Sequence, residues 1–170
     1  EEGITTVLRR NLFRALGQGD MAQAALLLER LKEEDPLSVE TRGMELDYVL
    51  RGGRLQEARA LTDQLLMLFP KSPRILYLAG QAAYRAKEYA IAVERFRESH
   101  CMYANWRSLS WLAKSLTQLG ELDEAASILE SLLPERPECY RDLAWLYERK
   151  EDHERALAAV EAYLKYHPED

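Results

Sequence analysis

Five alanines recur along this chain at nearly constant separation. Ala24, Ala58, Ala92, Ala125 and Ala156 lie 34, 34, 33 and 31 residues apart. Three residues before each stands Met21, Leu55, Tyr89, Leu122 or His153, and a polar or glycine-containing stretch comes before that, as in "RGGRLQEARA" at 51–60. A period of this size marks an array whose units bury their apolar faces against their neighbours. With each alanine counted as residue 20, units start at Thr5, Val39, Pro73, Trp106 and Pro137.

Each unit reads as two amphipathic helices and a tight turn. In the third, Leu76, Ala79, Gly80, Ala83 and Tyr84 fall at helical spacing, "AKE" follows, and Tyr89, Ala92, Val93 and Phe96 form a second stripe. Gly17 and Gly19, Gly52 and Gly53, and Gly120 stand in the turns, where glycine suits the left-handed conformation that ends a helix. Pro36, Pro70, Pro73, Pro134, Pro137 and Pro168 mark the joints, since proline stops a helix or starts one. Sustained two-residue alternation is missing, so the class is all-α. Antiparallel helices joined by a short turn approach closely beside it, which explains the small side chain at position 20. Met21 and its equivalents are expected to seal the turn, and His153 implies a wetter last unit.

These units resemble tetratricopeptide repeats. The third offers Gly80, Ala83, Ala92, Phe96, Ser99 and Ala104 at the family's positions, and the fifth Ala144, Tyr147, Ala156, Val160, Tyr163 and Pro168. Pro36 and Pro70 close the first two. Leu31, Leu65 and Leu132 replace a small residue, and the fourth unit is short, with Pro134 closing its second helix early. The resemblance covers 5–170. It implies a right-handed superhelical solenoid of antiparallel helix pairs, one array over 1–170 with units near 5–38, 39–72, 73–105, 106–136 and 137–170, read as an excerpt of a longer chain.

The bulk properties narrow the function. A net charge of −6 argues against a nucleic-acid binder, which needs a basic face to displace counterions. No run of about 18 apolar residues offers a membrane span. Cys101 and Cys139 lie far apart with no CxxC and read as free, half-buried small residues. His100, His153 and His167 are scattered, so no metal or cofactor is expected. The glycines lack the lysine of a phosphate loop. Without a catalytic constellation, the chain reads as non-enzymatic.

The resemblance further implies a concave groove lined by the first helix of each unit at positions 2, 5, 9, 12 and 13. Those positions hold eight basic and four acidic residues, a net of +4 in a chain of −6. The candidate groove residues are Arg9, Phe13, Arg74, Tyr77, Gln81, Tyr84, Arg107, Lys114, Arg141 and Trp145. The same positions include Leu16, Gly43, Asp47, Leu50, Ser110 and Thr117, and the arginines Arg51, Arg85 and Arg149. Arginine and aromatic side chains are frequent interface anchors. Position 9 never holds Asn, unlike the family members that grip a C-terminal carboxylate. Trp106 reads as a packing plug at a joint, and Trp111 as an edge residue between helices.

The expected function is a protein–protein interaction scaffold or adaptor that holds a peptide or protein segment of acidic character in the groove. Two alternatives stand beside it. One is a regulatory or substrate-recruiting domain of a larger enzyme or of an export or secretion assembly. The other is an RNA-binding helical repeat, which the unit lengths and acidity oppose. Leu157, Val160 and Leu164 have no following helix to cover them, so self-association through that end, or continuation of the chain, is a further expectation.

Overall fold

The structure, a computed structural model, describes residues 2–169. Ten helices occur there, and no strand among the described residues: α1 Ile4–Gln18, α2 Met21–Glu34, α3 Val39–Arg51, α4 Leu55–Leu68, α5 Pro73–Arg85, α6 Tyr89–Met102, α7 Trp106–Leu119, α8 Leu122–Ser131, α9 Cys139–Arg149 and α10 His153–Tyr166. They form two compact bodies, Glu1–Ala86 with α1–α5 and Lys87–Asp170 with α6–α10. Each is described by itself.

Local chemistry sets the helix starts. The side chains of Asp20, Ser38 and Ser72 accept from the backbone N–H of Gln23, Thr41 and Ile75, capping α2, α3 and α5. Pro73 occupies the first turn of α5, where its missing N–H costs nothing. In the second body Asn105 caps α7 and Asp152 caps α10.

The recurring alanines are all buried, from 0% exposure at Ala24, Ala58, Ala92 and Ala125 to 2% at Ala156. Around them the first body packs Leu12, Leu16, Leu28 and Leu31, then Leu46, Leu50, Leu65, Ile75 and Leu78. In the second body Phe96, fully buried, stacks on Trp111 with ring centroids 5.9 Å apart. Trp111 is thus a stacking partner in the core margin. The residues three before each alanine open the second helices; Met21, Tyr89 and Leu122 are half-buried, but Leu55 is 40% exposed and His153 is exposed.

The turns follow one rule. The residue two before each second helix has positive φ: Gly19 at 72°, Gly53 at 72°, Lys87 at 62°, Gly120 at 85° and Glu151 at 60°. Only the second glycine of each pair does this. Gly17 lies inside α1, and Gly52 has φ of −74°. The left-handed turn survives at Lys87 and Glu151 without glycine.

One further expectation is corrected, that of two half-buried cysteines. Cys101 is exposed rather than half-buried, whereas Cys139 is buried. Helix α9 begins two residues past Pro137. The short fourth pair comes from α8, ten residues against fourteen in the other second helices, ending at Ser131 before Pro134. On α10, Leu157 is 60% exposed, and Val160 and Leu164 are each 41% exposed.

Candidate binding face

First helices of successive pairs are neighbours within each body: α1 packs on α3 and α3 on α5, and in the second body α7 packs on α9. Small residues on these helices set how near they come. A Cβ on Gly43 would stand 3.5 Å from Arg74 Cγ and 3.7 Å from Ile75 Cδ1, ordinary contact distances that place the Arg74 stem against α3 here.

In the first body, Asp47 is the hub. It is buried at 6% exposure, accepts from Arg51 Nε at 2.9 Å on one oxygen and from Arg74 Nη2 at 3.1 Å on the other. Arg51 also donates from Nη1 to the Leu16 carbonyl at 3.1 Å, and Arg85 donates to the Leu50 carbonyl. Both arginines end their own helix and satisfy a carbonyl at the end of the preceding first helix, where the dipole favours a cation. Arg9 pairs with Asp35 at 2.5 Å. Hydrogen bonding from Ser38, aided by Arg9, outweighs desolvation and holds the Asp35 carboxyl below its ordinary value. Tyr77 Oη accepts from Gln81 Nε2 at 3.2 Å, and both side chains are half-buried, as is Tyr84. Phe13 is 64% exposed.

In the second body, α7 carries Arg107 and Lys114 and no carboxylate. Lys114 Nζ sits 4.7 Å from the centroid of the Trp111 ring. Arg107 lies over Trp106 at 5.0 Å, and Arg136 over the same ring at 4.4 Å. Trp106 is therefore a half-buried platform for two guanidiniums, not only a plug. Half-buried Asp142 faces Lys114 and Arg141; burial pushes its carboxyl up, against the pull of those two cations. Burial also pushes the Cys139 thiol up to about 11, with Asp142 and Glu138 adding to the rise. Trp145 is half-buried, with Arg149 over its ring at 5.6 Å. Arg149 also donates to Gln118 Oε1 at 3.4 Å.

The ten candidate residues thus divide. In the first body Arg74, Tyr77 and Gln81 share α5, with Arg74 tied to Asp47, while Arg9 is committed to Asp35. In the second body Lys114 and Arg141 gather about Asp142, Arg107 stands on Trp106 and Trp145 lies under Arg149. Six positions expected to be open are closed: Leu16, Gly43, Asp47, Leu50, Ser110 and Thr117 are all buried. At Leu16, Gly43, Leu50, Ser110 and Thr117 the first helices are closed to a ligand, whereas Tyr77, Tyr84 and Arg141 at the equivalent positions still reach the surface. Three of the arginines counted as groove charge, Arg51, Arg85 and Arg149, are engaged in joining first helices. The Asp47–Arg74 bond and the Arg136–Trp106 contact went unread, because each joins residues far apart in sequence. Among the described residues no group of three or more His, Cys, Asp or Glu is placed to hold a metal ion, and no helix is long and apolar enough to cross a membrane.

Comparison with known proteins agrees with this architecture. A family model described as anaphase-promoting complex, cyclosome, subunit 3 matches residues 51–132. The human protein O-mannosyl-transferase TMTC1 is 30% identical over 100 residues, 56% of this chain and 11% of that protein. Its mouse counterpart is 37% identical over 62 residues, covering 35% of this chain and 7% of that one. The chain thus spans about a tenth or less of these relatives. A solved thermophilic TPR protein of Thermus thermophilus, TTC0263, superposes with a TM-score of 0.84 at 20% identity, covering 98% of this chain and 93% of that one. The crystal structure of MamA protein matches with a TM-score of 0.68 at 20% identity, over 95% and 90% of the two chains.

Proposed function

We propose, from the premise that this chain has the tetratricopeptide-repeat fold, that it is a non-enzymatic scaffold which holds a protein segment of acidic character on its first-helix faces. A tetratricopeptide-type fold suits protein interaction. The finer reading rests on one observation: each body presents cations at the face positions of its first helices, Arg74 among them with 44% of its side chain in solvent although it is tied to Asp47. In the first body Arg74 shares α5 with Tyr77 as its apolar wall; in the second, Arg107, Lys114 and Arg141 stand on α7 and α9 with Trp145 as theirs. Helix α7 carries two cations and no carboxylate in a chain of net charge −6. Cationic and aromatic groups together favour an acidic segment with interspersed apolar residues.

The test is equilibrium binding of a fluorescent peptide of alternating glutamate and leucine, compared with its glutamine counterpart. The variant Arg74→Glu/Arg107→Glu/Arg141→Glu, first shown to stay helical, should lose the glutamate peptide at least tenfold, given the repulsion between like charges at an interface. Retention by that variant would move the site to the second helices or the ends.

The relatives favour a second reading. Because part of an O-mannosyl-transferase resembles this chain, the repeats fit a recruiting segment attached to an enzyme. Reading the transcript through both ends tests this. A catalytic domain in frame supports it, and stops at both ends remove it.

A further inference from the structure

We infer that Arg51 and Arg74, held on either side of Asp47, are the point on the first body where one acidic side chain of the bound segment is read, with Asp47 as the residue that positions them. This rests on the reading of the first-helix face as an acidic-segment site and deepens it.

Asp47 lies at the bottom of the arrangement, its side chain 9% exposed. Its two oxygens take one guanidinium each, at 2.9 Å from Arg51 and 3.1 Å from Arg74. The stem of Arg74 also lies close to α3 at Gly43. Arg51 is fixed a second time by the Leu16 carbonyl. Both heads are therefore anchored from below, while 43% of the Arg51 side chain and 44% of the Arg74 side chain face solvent. A guanidinium has five N–H donors. The bonds named use two on Arg51 and one on Arg74.

The triad carries a net charge of +1 and presents two planar forks already ordered. Fixed forks lose little freedom when they engage a second carboxylate, and their geometry matches it in bidentate fashion. Asp47 does not act as a partner of the ligand. It holds the groups that do.

This makes an expectation opposite to a charge count. Removing the Asp47 carboxylate makes the face more positive, which by charge alone would tighten an acidic ligand. If Asp47 positions the arginines, removing it loosens both and weakens recognition of the carboxylate.

The probes are the fluorescent glutamate–leucine peptide and its glutamine counterpart, bound to the whole 170-residue chain. The readout is the ratio of the two affinities, which a merely structural loss would leave unchanged. In Asp47→Asn the glutamate preference should fall about fivefold or more, as expected when an ordered charge-assisted fork is lost. Arg74→Lys keeps the charge and the Asp47 carboxylate but loses the fork, and should show a fall of similar size. If Asp47→Asn does not fold, Arg74→Lys carries the test alone. An unchanged or increased preference in a folded variant overturns the inference. Arg107→Glu/Arg141→Glu, in the second body, separates the two readings. If it weakens the glutamate peptide while the Asp47 and Arg74 variants do not, the triad alone is wrong. If the wild-type chain shows no glutamate preference, both readings fail.

Discussion

Adjacent glycines in one turn should respond to alanine with opposite signs. Gly53 has φ of 72°, in the left-handed region that costs an L residue about 1–2 kcal/mol. Space plays no part, since a Cβ on Gly53 meets no atom within 4 Å. Alanine also restricts the unfolded chain, which offsets about 0.4–1 kcal/mol of that cost. Gly53→Ala should therefore lose about 0.5–1.5 kcal/mol. Gly52 differs, with φ of −74° and ψ of −5°. A Cβ there meets Arg54 Nε at 3.4 Å and the Tyr48 and Val49 carbonyls at 3.5 Å, ordinary contacts. Only the unfolded-state effect remains, so Gly52→Ala should gain about 0.4–1 kcal/mol. Urea unfolding followed by circular dichroism measures both, and with a slope of about 2 kcal/mol/M the two midpoints should part by roughly 0.5–1.2 M. The reciprocal changes Lys87→Gly and Glu151→Gly should each gain about 0.5–1 kcal/mol by relieving a left-handed non-glycine residue. Equal losses in Gly52→Ala and Gly53→Ala would refute the left-handed account of these turns.

Other consequences are independent of the turns. Thr62 is 8% exposed and its hydroxyl is buried with no hydrogen-bond partner, at a position where other units carry Leu28, Phe96 and Leu129. Thr62→Val should stabilise by about 1 kcal/mol, and a lower unfolding midpoint would contradict the assignment. Ala92 is fully buried beside its turn, so Ala92→Leu should cost about 1–3 kcal/mol by overpacking, a claim that unchanged melting would sink. The two thiols should react apart: exposed Cys101 with an aromatic disulfide reagent at neutral pH, and Cys139, buried and raised to about 11, only after unfolding. Equal rates in the folded chain would show that the thiol of Cys139 is accessible.

The helical framework was legible because it is written in single-residue choices. Ala24 and its four equivalents and Pro73 each act through the local backbone or through one close approach, so spacing alone exposes them. Side-chain pairing is different. Asp47 meets Arg74 across 27 residues, and Arg51 and Arg85 reach carbonyls 35 residues back. Nothing in the residue types says that an arginine at a helix end joins two helices instead of facing a ligand. Counting Arg85 and Arg149 as groove charge therefore left out the helix-joining bonds they make, whereas Arg51 makes one and still turns 43% of its side chain to solvent. The left-handed turns at Lys87 and Glu151 were hidden for a related reason. The backbone takes there a conformation that glycine marks elsewhere and that lysine and glutamate do not advertise. Burial of Leu16, Leu50 and Thr117 follows from the packing of neighbouring helices inside each body, which residue type alone does not announce.

The central claim is that a ligand lies along the first helices. Amide and side-chain NMR of the isotopically labelled chain, titrated with the glutamate–leucine peptide, tests it most directly. The account expects shifts in the Arg74 Nε–H and Trp145 indole signals and in the amides of α5, α7 and α9, with the glutamine peptide giving far smaller changes. Shifts confined to the outer second helices, around Leu26, Met67 or Leu157, would contradict it.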